Sequence, residues 1–487
     1  MANRISVRWK MWHGAGQAGQ SVQWFALGFI FLFYNQVLGL SGTLTGIGVS
    51  IAVVFDAVSD PIVGSWSDAF RSRWGRRHPF LFASILPMGL FFVALFSPPS
   101  GLDEFTLFLW FTVFNILSKT ALTIFGVPYL ALGAEVSGDY VERTGIASYR
   151  SIIGEGSSLL VAAIGWNFFF VSTKSNPNPQ LTEEPYFLFA LASALVMIIL
   201  MLASSWRTMD VIPKLPNLPP TGFSFKKVYT DLFEALHGLS FRSLFLGNLV
   251  CTIYWGTSGA MALHLKTFFW ELDSFGIQWW HYAGVMGGIC GIPFTPWFNR
   301  VLDKKWTVIL GVVVCVVAAT LPVALALIGL MPDDKNLLVP LLVFFAFLGT
   351  FGIRPVGVTI ASMMGDMADE HELRHGTRQE GVYFAAFNFA EKCTGSLGPL
   401  FAGIAIDIVG LTPNSVPGEV TTEVLSNFGM VYIVIAIAVL FAIWVFWPYD
   451  LDKTRHSEIV RQLANRKKTN LTDNRTINQV TRTENDD

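Results

Sequence analysis

Long apolar stretches, each separated from the next by a short polar or charged segment, make up most of the chain between residues 18 and 448. A membrane-spanning helix needs about 20 mainly apolar residues. Reading the stretches against their charged, proline and glycine breaks predicts twelve spans, near residues 18–40, 44–67, 79–97, 105–134, 145–172, 186–206, 242–270, 277–298, 307–331, 337–365, 382–409 and 427–448. The pattern therefore predicts an all-α integral membrane protein with twelve transmembrane helices.

Positive charge falls into every second break between these spans. Lysines and arginines follow spans two, four, six, eight and ten and continue in the tail, whereas the opposite breaks hold few, such as Lys174 and Lys335. Cytoplasmic loops of membrane proteins carry an excess of lysine and arginine. We therefore expect a multi-pass protein of the inner or plasma membrane with both termini in the cytoplasm.

The longest internal polar break, RTMDVIPKLPNLPPTGFSFKKVY (207–229), follows span six. It divides the chain into a six-helix bundle (1–206), a cytoplasmic linker (207–241) and a second six-helix bundle (242–449). The cytoplasmic tail (450–487) is predicted to be largely disordered after a short helix. Two six-helix bundles with a substrate site between them at mid-membrane are a transporter architecture.

Composition excludes several other classes of protein. Of the 487 residues, 52% are hydrophobic and 14% are charged, whereas soluble domains carry about 25% charged residues. The net charge of −2 provides no basic surface for nucleic acid. The four scattered cysteines indicate neither a metal site nor a disulfide framework, and no HExxH, GxSxG or phosphate-loop motif indicates an enzyme. We expect a monomer without a cofactor, whose partners are a small-molecule substrate and membrane lipid.

Two carboxylates, Asp56 and Asp60, lie inside the second predicted span. Each charge at the bilayer centre costs about 2.5–3.5 kcal/mol. Residues four apart share one helix face, so the two repel each other unless a proton or a cation sits between them. A hard cation prefers several oxygen ligands, which the carboxylates, Ser59 and a hydroxyl from span four can supply. The alternative is that the aspartates pair with Lys119 or Lys392 and join helices.

An arginine-rich segment, GSWSDAFRSRWGRR (64–77), follows the same span. Gly64 permits close helix packing, and Asp68 lies where it can meet the loop guanidinium groups. Such contacts can break and form as two bundles rock, which makes the segment a candidate for conformational gating. The alternative is that the arginines only set the topology.

These motifs resemble those of the glycoside–pentoside–hexuronide:cation symporters, a branch of the major facilitator superfamily, over roughly residues 10–448. The stretch DAVSDP (56–61) resembles the family's cation motif. The loop after span two matches the superfamily motif at Gly64, Asp68, Arg71, Gly75, Arg76 and Arg77. The stretch GDMADEHELRHGTRQEG (365–381) matches the family pattern at Asp366, Asp369, Glu372, Gly376, Arg378, Glu380 and Gly381.

The resemblance implies cation-coupled symport of a sugar, glycoside or uronate by alternating access. Asp56 and Asp60 resemble the family's cation ligands, and Thr123 resembles the threonine that joins them from helix four. Ser59 stands where sodium-coupled members have asparagine, which leaves Na⁺ and H⁺ both open as the coupling ion. Arg150 resembles the helix-five arginine near sugar and cation, and Lys392 resembles the helix-eleven lysine that approaches the aspartates.

The predicted substrate site departs from that of the melibiose carriers. Gln20 and Gly126 stand where those carriers have aspartates, so a galactoside would lose two charge-assisted hydrogen bonds. Trp24 and Trp255 are candidates to stack on a sugar ring. Lys119 has no counterpart; it either pairs with an aspartate or recognises an anionic substrate such as a uronate. A related branch moves lysophospholipids, so an amphiphile carrier is the alternative within the family.

Overall fold

In the computed structural model the described part of the chain covers residues 5–137, 139–214, 238–375, 380–463 and 465–466, and its regular elements are all helical. The N-terminal half contains α1 (Val7–Leu27), α2 (Gly42–Ala69), α3 (His78–Leu95), α4 (Glu104–Glu135), α5 (Tyr140–Ile164) and α6 (Glu184–Arg207). Within this half α1 packs between α5 and α6, and α4 packs between α2 and α3.

The C-terminal half contains α7 (Leu239–His264), α8 (Ser274–Gly291), α9 (Lys304–Leu327), α10 (Lys335–His375), α11 (Glu380–Val409) and α12 (Thr422–Ala438), the last followed by a short helix, Phe441–Phe446. Here α7 packs on α11, and α10 packs on α8 and α9. At 41 residues, α10 is about 60 Å long, so it extends well beyond the hydrocarbon core of a bilayer.

A helix lies at each of the twelve predicted spans, but the first begins earlier than expected. The hydroxyl of Ser6 caps α1 by accepting from the backbone N–H of Trp9. Lys10 Nζ lies 2.9 Å from Glu142 Oε1 at the start of α5. Because the first turns of α1 are basic and polar, the apolar pattern placed the start of this helix near residue 18.

Nine helices in the part of the chain that the structure describes are long and apolar enough to cross a membrane. The helices α1, α7 and α8 do not belong to this set, so the number twelve stays a prediction. Polar residues lower the hydropathy of these helices, for example Gln17, Gln20 and Gln23 in α1 and Asn248 in α7.

The two halves contact each other closely along α2 and α11, with a second contact between α5 and α8. Glycines make the first contact possible. A Cβ on Gly403 would lie 2.0 Å from the carbonyl oxygen of Gly42, and a Cβ on Gly46 would lie 2.5 Å from that of Pro399. Since two nonbonded heavy atoms cannot approach so closely, any side chain at Gly403 would push the halves apart.

Several hydrogen bonds join the halves where α2 begins and α11 ends. Asp407 accepts from the backbone N–H groups of Gly42 (2.9 Å) and Thr43 (2.7 Å), and so caps α2 from the opposite half. His264 Nε2 lies 3.1 Å from Asn35 Oδ1. We call the region formed by these five residues the closed end.

A helix at residues 453–463 follows the last span and packs against α10. Arg455 forms an ion pair with Glu370 at 2.9 Å, and His456 Nε2 lies 3.3 Å from Asp369 Oδ2. Ile459 and Leu463 are buried in the core of the C-terminal half. This helix lies where a short helix is predicted; residues 467–487 lie outside the described part.

Candidate functional site

The paired carboxylates of α2 meet a hydroxyl from α4. Thr123 Oγ1 lies 2.5 Å from Asp56 Oδ1 and 2.9 Å from Asp60 Oδ1. A hydroxyl has one hydrogen to donate but two lone pairs to accept with. It therefore bridges two carboxylates best when one of them is protonated, or when a cation shares the oxygens. Asp56 and Asp60 share one helix face, as their spacing predicts, and Thr123 joins them from α4, as the family resemblance implies.

A lysine from the opposite half completes this group. Lys392 on α11 forms an ion pair with Asp56, and its Nζ lies 2.8 Å from Asp60 Oδ2. The carboxyl side chains of Asp56 and Asp60 are 17% and 32% exposed, so both can be reached from outside the helix packing. We call Asp56, Asp60, Thr123 and Lys392 the carboxylate site.

Two other predicted residues lie around the carboxylate site without completing it. The hydroxyl of Ser59 is directed at its own helix, where it donates to the carbonyl oxygen of Asp56 at 3.1 Å. Lys119 is within electrostatic range of both carboxylates, and its Nζ lies 5.3 Å from the ring centroid of Trp24. A cation over a tryptophan ring is attracted by the negative face of the ring, so Trp24 fixes where the Lys119 ammonium lies.

A cavity of about 600 Å³ lies between the two halves. Its walls come from α1, α5, α7 with its terminal turn, and α8, and they include Gln17, Trp24, Arg150, Glu155, Lys266 and His281. Small-molecule sites commonly measure about 300–1,000 Å³, so this cavity fits a ligand of sugar size. Gln17 of α1, Lys266 after α7 and His281 of α8 face this shared polar space.

The predicted substrate residues fall into separate places. Trp24 and Arg150 line the cavity. Gln20 is buried, its amide nitrogen has no hydrogen-bond partner among the described residues, and its oxygen lies 3.5 Å from where a Cβ of Gly126 would be. Trp255 packs in the C-terminal half, 6.0 Å from Tyr254 between ring centroids. Their roles in binding stay predictions.

The arginine-rich loop forms a buried ion-pair cluster at the end of α2. Arg77 pairs with Asp68 and with Glu135 Oε1 at 2.6 Å, and Arg76 Nη2 lies 2.9 Å from Glu135 Oε2. Arg71 donates to the carbonyl oxygen of Asp68 at 2.6 Å. The contact predicted for Asp68 is present, but the sequence analysis missed Glu135 in the last turn of α4.

The other gating candidates lie outside this ion-pair cluster. Gly64 has no tight contact with the described residues, and Asp366 and Asp369 lie in the C-terminal half. A Cβ on Gly64 would lie 3.6 Å from Val127, an ordinary contact distance. Asp366 pairs with Lys304 at 2.5 Å, and Asp369 lies near His456. Arg378 lies outside the described residues. Nothing in the local sequence pattern around Lys304 and His456 places these two residues beside α10.

A model of the family described as "MFS/sugar transport protein" matches residues 12–453. The inner membrane symporter YicJ of Escherichia coli (strain K12) is 24% identical, over 82% of each chain. The glucuronide carrier protein homolog of the same organism is 21% identical, over 91% of this chain and 93% of the other. The isoprimeverose transporter of Lactiplantibacillus pentosus is 20% identical, over 79% and 77%.

Solved structures show the same fold at low sequence identity. The nucleoside transporter NupG aligns with 91% of this chain and 100% of its own, with a TM-score of 0.61 and 11% identity. A bacterial homologue of the iron transporter ferroportin in its inward-facing state aligns with 91% and 99%, with a TM-score of 0.60 and 13% identity. The family match shows a transporter rather than an enzyme, and the nine apolar helices among the described residues fit an integral multi-pass membrane protein. The chain belongs to the MFS/sugar transport protein family, which confirms the resemblance to glycoside–pentoside–hexuronide:cation symporters.

Proposed function

We propose that this protein is a secondary active transporter that uses Na⁺ or H⁺ to drive symport of a sugar, glycoside or uronate across the inner or plasma membrane. Relatives named as a symporter, a glucuronide carrier homolog and an isoprimeverose transporter support this substrate range. The observation that carries the proposal is the carboxylate site, in which Asp56 and Asp60 of one half meet Lys392 of the other. Transport requires no cofactor besides the coupling ion in this proposal. A single chain, with both termini in the cytoplasm, is the functional unit.

The coupling ion and Lys392 compete for the same two carboxylates in this proposal. Without the ion, the Lys392 ammonium pairs with both carboxylates and joins α11 to α2. When Na⁺ binds their oxygens, or a proton binds one of them, the hold on Lys392 weakens. The contact between the halves then loosens at mid-membrane, and the bundles can rock. Thr123 stays with the carboxylates in either state, since it belongs to the same half.

The substrate binds in the cavity between α1, α5, α7 and α8. Trp24 connects it to the carboxylate site, because its ring lines the cavity and also positions Lys119. A change in charge at the aspartates therefore alters the attraction on Lys119, and so alters its contact with Trp24 in the cavity wall. By linkage, the ion and the substrate must raise each other's affinity by the same factor.

The substitution Asp60→Asn tests the carboxylate site. It removes one charge and one oxygen ligand while preserving shape, so we expect cation-driven accumulation of substrate to disappear while substrate exchange survives. The measurement is uptake into vesicles with and without an ion gradient. Asp333→Asn, at an exposed position, is the matched control. Full cation-driven accumulation by Asp60→Asn would contradict the proposal.

The lysophospholipid alternative finds less support in the cavity. Arg150, Glu155 and Lys266 line it, and an acyl chain placed against them would bury charged groups without compensation. Uptake assays should nevertheless include a labelled lysophospholipid beside the sugars. Ion-dependent uptake of the lipid alone would replace sugar symport as the function.

A further inference from the structure

The helix α7 ends in a wide turn, Leu265–Phe269, whose hydrogen bonds span five residues instead of four. Such π-type turns are rare and occur frequently at functional sites. Here the turn carries Lys266 to the cavity wall. Its Nζ lies 5.3 Å from the ring centroid of Trp280 on α8. The attraction between an ammonium and a tryptophan face holds the charge in place.

Lys266 lines the same cavity as Glu155 but is not paired with it. Among the described residues it forms no ion pair with a carboxylate, although thirteen pairs are formed elsewhere in that part of the chain. The cavity carboxylate, Glu155, lies on α5 in the other half and forms no ion pair with a described cation either. An unpaired charge inside a predicted span, here 242–270, is rare and commonly marks a substrate path.

A second polar group in the same wall also lacks a partner. His281 on α8 lines the cavity beside Lys266, and its Nε2 is buried without a hydrogen-bond partner among the described residues. A buried nitrogen of this kind costs free energy until something bonds to it. Across the cavity, Arg150 of α5 presents a further cation. The wall thus offers donors and positive charge from both halves, with Glu155 as the one acidic residue in its described lining.

We propose that Lys266 and His281 form an anion-binding subsite, and that the transported solute is a sugar that carries one acidic group. This inference rests on the proposed function and names the substrate class within it. Lys266 binds the acidic group, His281 donates a hydrogen bond to it, and Trp24 stacks on the ring. Because Lys266 belongs to the C-terminal half and Arg150 to the N-terminal half, a bound anion attracts both halves.

Matched sugar pairs test this subsite on the purified full-length protein. The pairs are glucuronate with glucose, galacturonate with galactose, methyl glucuronide with methyl glucoside, and a uronate-containing disaccharide with its neutral counterpart. Binding is measured by calorimetry or thermal shift, with Na⁺ and pH varied. We expect the acidic member of at least one pair to bind more tightly. Lys266→Gln should weaken that binding about 10–100-fold and weaken binding of the neutral member much less, whereas Lys266→Arg should restore binding of the acidic member.

Lys174→Gln, an exposed lysine outside the cavity, is the matched control, and monodisperse gel filtration shows that each variant is folded. If the neutral member binds at least as well in every pair, the subsite is overturned while sugar transport stands. If Lys266→Gln binds the acidic member as tightly as the native protein, the subsite is also overturned. If no member of any pair binds or is taken up, the proposed function itself fails.

Discussion

The hydroxyl of Thr123 is the one group from α4 that contacts both carboxylates of α2 among the described residues. In the proposed function this hydroxyl can serve the coupling ion in two ways. A hydroxyl that only accepts from a protonated carboxyl serves H⁺ coupling, whereas one that offers its lone pairs to a metal serves Na⁺ coupling. The same atom therefore reports on the identity of the ion.

Replacing Thr123 by valine keeps the shape and removes the oxygen. We expect the half-saturating concentration of the coupling ion to rise about tenfold, since one hydrogen bond or ligand to a charged group contributes about 1.5 kcal/mol. Thr123→Ser keeps the hydroxyl and should stay near the native value. Ion-dependent uptake at several Na⁺ concentrations and pH values measures the effect. An unchanged ion dependence in Thr123→Val would remove this residue from the site.

Residue spacing predicted the centre of the site but not its surroundings. Asp56 and Asp60 stand out because they are four apart in an apolar stretch, and the family motif adds Thr123 and Lys392. Glu135, Asp407 and Lys266 gave no comparable signal. The partner of Glu135 lies 58 positions away and that of Asp407 lies 365 away, so only folding brings these pairs together.

At the scale of helices, the contact between α2 and α11 depends on the absence of side chains. Gly403 and Gly42 bring the two backbones together beside the Asp407 cap. Since Asp407 adds a second cap to α2 from the other half, beside the helix's own N-cap Ser41, the closed end loses this second cap each time it opens. Removing such a cap costs about 0.5–2 kcal/mol, small enough for an end that must open and close.

The substitution Gly403→Ala should keep the closed end from forming. Its new Cβ would meet the Gly42 backbone at 2.0 Å, so we expect transport to fall at least tenfold while each bundle stays folded. Gly357→Ala on α10 meets nothing within 4 Å and should transport normally. Cross-linking of cysteines placed across the closed end, together with uptake, measures both effects. If the Gly403→Ala variant cross-links across the closed end as efficiently as the unsubstituted protein, α2 and α11 can pack without the close glycine contact, and the prediction is wrong.

Helix positions were predictable where hydrophobicity alone decides them. The predicted range 44–67 lies within α2, and 105–134 lies within α4. The start of α1 was not predictable in the same way, because Ser6 and the Lys10–Glu142 pair stabilise a polar first turn. The three wide turns, Phe33–Val37, Gly165–Phe169 and Leu265–Phe269, leave no local signal in the sequence either.

For the whole molecule, the closed end and the predicted topology together determine from which side of the membrane the cavity is accessible. If both termini are cytoplasmic, α2 begins on the outer side, and the closed end seals the cavity from outside. The helix at 453–463, bound to α10 by Arg455, then lies in the cytoplasm.

Arg455 also pairs with Asp450, which lies before this helix. Partial burial opposes ionisation of Asp450, but hydrogen bonds from Ser240 and Arg455 lower its pKa overall. This anchor is therefore intact near neutral pH and weakens as the pH falls through that lowered value.

A single cysteine in the cavity wall tests this arrangement. Ser158 lines the cavity on α5. We expect Ser158→Cys to react with a membrane-impermeant thiol reagent from the cytoplasmic side in inside-out vesicles, and much more slowly in right-side-out cells. Ser175→Cys, exposed in the loop before α6, should show the reverse preference. The unmodified protein sets the background from the native cysteines. Reversed labelling of both variants would mean that the predicted orientation is wrong.

The position of Lys119 beside the carboxylate site has an electrical consequence. With both carboxylates ionised and Lys392 and Lys119 protonated, the four charges sum to zero, so in the proposed cycle the empty carrier presents a neutral centre as it returns. Binding one monovalent ion makes that centre carry one positive charge. The membrane voltage, about 2.3 kcal/mol per elementary charge per 100 mV, therefore accelerates the inward step of the loaded carrier and leaves the empty return insensitive to voltage. Transport current would be steepest in voltage when the return is fast, and would flatten when the return limits turnover.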